Sequence, residues 1–111
     1  QLMDTTSNPT SRLFVLRNEN QDIIGTYTLG LFSSPTGKKA SIEDVVVHPD
    51  YQGQHLGQLL IENALSRLKE MAPIHVQLTS RPARVAANAL YLKMGFNPKD
   101  TNVYIMDIKQ N

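Results

Sequence analysis

Two neighbouring carboxylates, Glu43 and Asp44, interrupt an apolar, β-branched run of strand length at Ala40–Val47. Because adjacent residues of a strand point to opposite faces, we expect at least one carboxylate to lie over the core or in a cleft. A carboxylate held there would have a raised pKa and would be a candidate general base. The pair is equally compatible with a structural cap on a neighbouring loop, and the residues alone leave both interpretations open.

A glycine-containing loop, QGQHLG at Gln52–Gly57, lies between this strand and a helical pattern. The unpaired N–H groups and the positive dipole end of a helix start attract anions, and Gly53 and Gly57 would let the backbone approach a phosphate closely. The loop lacks the Lys-Ser/Thr of a nucleoside-triphosphate loop and does not match Gly-x-Gly-x-x-Gly. Two glycines that serve only as turn and helix entry are an equally good interpretation. His55 is compatible with an anion contact and with a solvated side chain.

A polar stripe is predicted on the second helix, where Arg84, Asn88 and Tyr91 are spaced i, i+4 and i+7. The stripe carries a phenol that could donate a proton. Taken alone, Tyr91 is more typical of a packed core aromatic with its hydroxyl at the edge, and Asn88 alone is uninformative.

The elements that must position these residues follow from the hydrophobic pattern. Short apolar alternations predict a β-hairpin and a third strand. A 3.6-residue period predicts a helix of about four turns that ends before Pro73. The predicted elements are strands at Leu13–Leu16 and Ile23–Phe32 around a turn at Asn18–Asp22, a loop at Ser33–Lys39, a strand at Ala40–Val47, a helix from Leu56 to Met71, a strand at Ile74–Leu78, a helix at Ala83–Met94 stopped by Gly95, and a last strand or pair of strands within 96–108.

The order strand, helix, strand implies a right-handed βαβ unit with parallel strands. Residues 1–11 are polar and lack periodicity, so we expect a tail followed by one domain at 12–111. A chain of 111 residues with 41% hydrophobic and 19% charged residues is typical of one globular domain.

The composition excludes several kinds of chemistry and partner. A net charge of +1 is too small for nucleic acid to be the main partner. With no cysteine and three scattered histidines, we expect neither thiolate chemistry nor a metal site. No apolar run of membrane-spanning length and no signal pattern is present, so we expect a cytoplasmic protein without a membrane partner.

Two motifs in this order resemble the GNAT superfamily of N-acetyltransferases, in its bacterial type. Ile42–Leu65 is similar to the family's acyl-CoA signature of strand, anion loop and helix, and Leu78–Phe96 is similar to its later motif of Asn, Tyr and a closing Gly-Phe. The resemblance implies an α/β (α+β) fold with a mixed, mainly antiparallel twisted sheet, a central splayed parallel strand pair and flanking helices. Few residues precede the first clear strand, so we expect the family's N-terminal strand and helices to be absent. Removal of upstream sequence or a compact variant is the favoured interpretation, and an open acceptor cleft or one completed by a second subunit is the alternative.

The resemblance also implies a site for acetyl-CoA, with these roles carried over from the family. Tyr91 would protonate the departing CoA thiolate, and Glu43 or Asp44, directly or through water, would accept the amine proton. A backbone N–H at the splay, that of Val45 or Val46, would stabilise the oxyanion. The cofactor-binding residues would be Val45, Val46 and Val47 along the pantetheine arm, Gln52, Gly53, Gln54, His55, Leu56, Gly57 and Gln58 around the pyrophosphate, and Asn88 and Tyr91 near the pantetheine and the sulfur.

The implied activity is direct transfer of an acetyl group to a primary amine of a small molecule or peptide. An alkyl ammonium with a pKa near 10.4 must lose its proton first, which costs about 4–5 kcal/mol at pH 7. The alternative is a non-catalytic acyl-CoA-binding or regulatory module, because His55 stands where the family's loop usually has Gly. Arg81 and Arg84 are compatible with an acidic acceptor, the 3′-phosphate of CoA or simple solvation. An edge strand is predicted at 102–108, which is compatible with a homodimer or with capping within the monomer.

Overall fold

The computed structural model describes residues 2–4 and 11–110. Its sheet has five strands in the order β1-β2-β3-β4-β5, antiparallel except for the parallel pair β4–β5. The sheet is therefore mixed and mainly antiparallel, as expected. The strands are β1 (Leu2–Asp4), β2 (Ser11–Arg17), β3 (Ile23–Ser34), β4 (Gly37–Val47) and β5 (His75–Leu78), and the helices are α1 (Leu56–Lys69) and α2 (Val85–Lys93).

The chain forms two compact units, one ending at Thr79 and the other beginning at Ser80. The first unit holds the sheet and α1, which connects the parallel strands β4 and β5 and so completes the predicted strand, helix, strand order. The second unit holds α2 and the residues that follow it.

The core of the first unit lies between the sheet and one face of α1. The apolar period of α1 buries Leu60, Ile61, Ala64 and Leu68, each at most 2% exposed. The sheet contributes Phe14, Tyr27, Leu29, Ala40 and Ile42, each at most 3% exposed. Gly25 allows a close approach here, because a Cβ on it would lie 3.2 Å from Leu60 Cδ1. This packing sets α1 against the strands that carry the candidate site.

Two connections within the sheet, between β2 and β3 and between β3 and β4, are short turns. Between β2 and β3, Asn18 Oδ1 accepts hydrogen bonds from the N–H groups of Asn20 at 2.8 Å and Asp22 at 3.0 Å. Between β3 and β4, Ser34 pairs with Gly37, so most of the loop expected at Ser33–Lys39 is strand instead. Gly37 adopts a φ of 125°, which permits a tight turn and leaves the flanking residues free to pair.

The N-terminal segment and the parallel pair differ from expectation. Leu2–Asp4 forms a strand that pairs with β2, and β2 itself begins at Ser11, so these residues do not form a tail. Residues 5–10 lie outside the described residues. The β4–β5 pair lies at one side of the sheet rather than at its centre, because β5 is the last strand in the order.

The strand expected within 96–108 is not formed. Residues 97–110 are all exposed, and none of them lies in a strand. The alternation of Val103, Ile105 and Asp107 with Tyr104, Met106 and Ile108 fits a strand, but a strand exists only where another strand accepts its backbone hydrogen bonds. Sequence alternation does not supply that partner, which is why the prediction failed.

Candidate active site

Strand β4 loses one of its two neighbouring strands after Ile42. From Lys39 to Ile42 it pairs with both β3 and β5, and the last parallel pair is Ile42 with Leu78. From Glu43 to Val47 only β3 pairs with it among the described strands. One edge of this second half therefore offers backbone N–H and C=O groups to a ligand, as the splay implied by the family resemblance requires.

A β-bulge begins at the same point. Glu43 pairs with Thr28 and Val46 pairs with Thr26, so Asp44 and Val45 together stand opposite Tyr27. Asp44 adopts a φ of 53°, in the left-handed region that Asp tolerates better than most residues.

The bulge corrects the expectation that one carboxylate is buried. Glu43 and Asp44 are both exposed, because the bulge breaks the alternation that would have turned Asp44 toward the core. Glu43 Oε1 accepts a hydrogen bond from Ser41 Oγ at 3.0 Å. Each carboxylate is therefore accessible to an incoming cation at the end of the paired part of β4.

The connection after β4 folds back onto the end of that strand. Pro49–Tyr51 forms one 3-10 turn, and His48 Nδ1 accepts a hydrogen bond from the N–H of Asp50 at 3.1 Å. Gln52 Nε2 then donates to the carbonyl of Val47 at 3.3 Å. Gln52 and Val47, both predicted as ligand contacts, are thus brought together, although by a bond to each other.

The start of α1 presents free backbone donors. Its first internal hydrogen bond runs from the N–H of Leu59 to the carbonyl of His55 at 3.1 Å, so the N–H groups of Leu56, Gly57 and Gln58 precede the helical ladder. A Cβ on Gly57 would meet no atom within 4 Å, so the space beside that backbone is open. Such a helix start can hold an anion without a charged side chain.

The loop before α1 uses two left-handed residues. Gly53 has a φ of 87° and His55 a φ of 62°. His55 is the N-cap of α1, is exposed, and makes no side-chain capping bond. Gln54 is exposed as well, and Gln58 Nε2 bonds Glu62 Oε1 at 2.8 Å along the helix. The backbone rather than the side chains therefore forms the candidate anion site.

The second unit carries the other two predicted site residues. Tyr91 is 8% exposed and its ring meets Phe96 edge-on, with 6.2 Å between centroids. Asn88 is half-buried, and its Nδ2 donates to the carbonyl of Arg81 at 3.0 Å. Arg84 is the exposed N-cap of α2, which begins at Val85.

Sequence reasoning missed a hydrogen-bonded pair beneath the site. Tyr27 on β3 donates through its hydroxyl to Asn63 Oδ1 on α1 at 2.7 Å. A tyrosine inside an otherwise apolar strand and an asparagine within the apolar stripe of a helix were the available signals.

No three potential metal ligands lie together in the described ranges, and neither helix of the described chain is long and apolar enough to cross a membrane.

Comparison with known proteins agrees with this geometry. The family model of the acetyltransferase (GNAT) family matches residues 2–96, and the chain belongs to this family. Over 59 residues it is 37% identical to the [ribosomal protein bS18]-alanine N-acetyltransferase of Escherichia coli K12, which covers 53% of this chain and 40% of that protein. An uncharacterized N-acetyltransferase ycf52 of Pyropia yezoensis is 36% identical over 64 residues, or 58% of this chain and 35% of that protein. The chain thus spans less than half the length of these curated relatives.

Solved structures share the fold. Glucosamine-6-phosphate N-acetyltransferase from Arabidopsis thaliana superposes with a TM-score of 0.75 and 25% identity, over 87% of this chain and 67% of that one. An aminoglycoside acetyltransferase from an uncultured soil sample gives a TM-score of 0.79 at 20% identity, over 94% of this chain and 69% of that one. These proteins are named for different acceptors, glucosamine-6-phosphate and an aminoglycoside, so the shared fold does not specify the acceptor.

Proposed function

We propose that this chain is an N-acetyltransferase domain that transfers an acetyl group from acetyl-CoA to a primary amine, and that the reaction occurs in the cytoplasm. The observation that carries the proposal is the open edge of β4 at Glu43–Val47, followed by a loop that ends at the free N–H groups of α1. An extended pantetheine arm can pair with such an edge, and a pyrophosphate suits such a helix start.

The proposed reaction is one direct transfer. The amine nitrogen attacks the thioester carbonyl, a C–N bond forms, and the C–S bond of the thioester breaks. The amine proton leaves to Glu43 or Asp44, directly or through water, and the CoA thiolate takes a proton from the Tyr91 hydroxyl. The N–H of Val45 or Val46 stabilises the oxyanion, because the β5 side of this strand segment has no other described strand to bind.

We propose the α-amine of a peptide as the first acceptor class to examine, with small-molecule amines second. Support comes from the relative named as acting on an alanine of ribosomal protein bS18, which is 37% identical over the matched segment. Glu43 and Asp44 are both exposed, and two accessible carboxylates favour a cationic acceptor.

Acetyl-CoA binding is the primary test. Ligand at about 100 times its Kd adds roughly 2.7 kcal/mol to the stability of the folded state, which gives a thermal shift of several degrees. We expect this shift with acetyl-CoA and a smaller one with adenosine 3′,5′-bisphosphate or ATP. Equal shifts with all three ligands, or none with acetyl-CoA, would contradict the proposal.

Turnover separates the enzyme from a binding module. CoA release is followed with a peptide that has an N-terminal alanine, with the same peptide blocked at its α-amine, and with a panel of small amines. Release only with free amines supports the transferase, whereas binding of acetyl-CoA with no turnover on any amine favours the regulatory module.

Tyr91→Phe tests the proposed acid. Loss of a general acid lowers turnover by about 10²-fold or more, while the retained ring preserves the contact with Phe96. We expect kcat to fall and the Kd for acetyl-CoA to stay within about twofold. A large loss of acetyl-CoA affinity with unchanged kcat would show that Tyr91 has a binding or packing role instead.

A further inference from the structure

Four side chains that contact one another in a ring join α1 to strands β2 and β3. The buried ring of Tyr27 stacks on Phe14 of β2, with 4.8 Å between centroids and 14° between planes. The Tyr27 hydroxyl donates to Asn63 Oδ1 at 2.7 Å, and Arg67 Nε donates to the same oxygen at 2.9 Å. The Arg67 guanidinium then lies 4.3 Å from the Phe14 ring centroid. These four side chains, which we call the α1 clamp, link β2, β3 and α1.

The clamp contains more polar chemistry than packing requires. Tyr27 is 0% exposed, and a phenylalanine there would fill nearly the same volume without a polar group to satisfy. Apolar packing alone tolerates small shifts of a helix along a sheet. A hydrogen bond depends on distance and direction, so Tyr27 and Asn63 restrict both the rotation and the axial position of α1.

A second contact fixes the first half of the same helix. Leu60 lies against Gly25, where a Cβ would come within 3.2 Å of Leu60 Cδ1. Gly25 is paired with Val47, and the carbonyl of Val47 accepts the hydrogen bond from Gln52. The end of β4 and the first two turns of α1 are therefore held through one position of β3.

We infer that Tyr27 and Asn63 are positioning residues for the acetyl-CoA site. The inference rests on the proposed function. Asn63 lies about 10 Å along the helix axis from Leu56, and a helix this short moves as one rod. A shift at the clamp therefore displaces the N–H groups of Leu56, Gly57 and Gln58 relative to the end of β4. Neither Tyr27 nor Asn63 has to touch the ligand for affinity to change.

Two pairs of variants test this role. Tyr27→Phe removes the hydroxyl and keeps the ring, and Asn63→Leu removes the acceptor. Asn63→Asp keeps an oxygen that can accept from both Tyr27 and Arg67. The matched control is Val15→Ala, because Val15 is 3% exposed on the strand face opposite to Phe14 and loses packing away from the clamp.

Three quantities are measured. They are the Kd for acetyl-CoA, determined by calorimetry well below the unfolding temperature, the Tm from thermal unfolding, and the rate of amide hydrogen exchange. We expect Tyr27→Phe and Asn63→Leu to raise the Kd by about three- to tenfold, because the displaced N–H groups of α1 then lose the equivalent of about one hydrogen bond to the ligand. Asn63→Asp and Val15→Ala should stay within about twofold of the unaltered chain. Amide hydrogen exchange at Leu56–Leu60 should be faster in Tyr27→Phe and Asn63→Leu, and unchanged in the other two variants.

Each outcome decides a separate question. If Tyr27→Phe lowers Tm as Val15→Ala does, with unchanged Kd and unchanged exchange at Leu56–Leu60, the clamp is only structural and the inference is overturned. If the unaltered chain does not bind acetyl-CoA, the proposed function is wrong and acetyl-CoA is not the ligand of this site. Exchange at the helix start still decides in that case whether the clamp positions α1.

Discussion

The two halves of β4 have opposite roles within one continuous strand. Residues Lys39–Ile42 pair on both sides, and Ala40 and Ile42 are at most 2% exposed. Residues Glu43–Val47 pair with β3 alone, contain a bulge, and have no buried side chain. The first half therefore stabilises the sheet, whereas the second half leaves backbone groups and carboxylates accessible.

The difference shows that the end of a strand pairing can leave backbone groups open to a ligand without any pocket. Strand propensity does not explain the difference, because the half that pairs on both sides has one β-branched residue, Ile42, whereas the open half has three valines. The position at which β5 stops pairing separates them, together with the left-handed Asp44 that turns the carboxylate outward. Variants in the two halves should accordingly affect different measurements.

The largest expected effect is on stability in the paired half. Ile42→Ala should lower the free energy of unfolding by about 2–5 kcal/mol, because it opens a cavity in the core. Val46→Ala, at a side chain that is 56% exposed, should change it by less than about 0.5 kcal/mol. Urea unfolding of both variants checks the contrast, and equal losses would show that the second half also belongs to the core.

The next effect separates binding from stability at the start of α1. Gly57→Glu should raise the Kd for acetyl-CoA by about tenfold or more, because it places a negative charge where a phosphate is proposed to bind. The same charge complements the helix dipole and should leave Tm unchanged or higher. Gly57→Gln is the control, because its side chain matches Glu in size and carries no charge, and a Cβ at this position meets nothing within 4 Å. For Gly57→Glu, calorimetry should show weaker binding of acetyl-CoA while thermal unfolding shows an unchanged or higher Tm, and a loss of both affinity and Tm would argue against the anion site.

A smaller effect is expected at the bulge. Asp44→Val should cost about 1 kcal/mol of stability, because a β-branched residue is strained at a φ of 53°. Asp44→Asn should be neutral in unfolding experiments, since Asn tolerates this region as Asp does. Its kcat then reports on the charge alone. Unchanged kcat in Asp44→Asn combined with a loss in Glu43→Gln would assign the base to Glu43.

The smallest effect is expected at His55. His55→Gly relieves the strain of a φ of 62° but increases the entropy of the unfolded chain, so stability should change by less than about 0.5 kcal/mol. The Kd for acetyl-CoA should fall slightly, because the loop becomes less bulky. A clear rise in Kd would instead assign the imidazole a direct contact with the ligand.

Local patterns in the sequence were sufficient for much of this molecule. The 3.6-residue period placed α1, and the switch from strand to helix placed β4 and β5 in parallel, because both depend on neighbouring residues. The order of two motifs was sufficient for the family, since the chain matches the family model over residues 2–96. Gln52–Gln58 were placed at a helix start for the same local reason.

Other features depend on which strands meet, and that is decided by tertiary structure. The exposure of Asp44 follows from a bulge between β3 and β4, and residues 102–108 alternate as a strand does but pair with none of the described strands. The bond from Tyr27 to Asn63 joins residues that are 36 positions apart in the chain. Strand pairing and helix docking are long-range events whose free energy depends on both partners, so a pattern read along one segment cannot contain them.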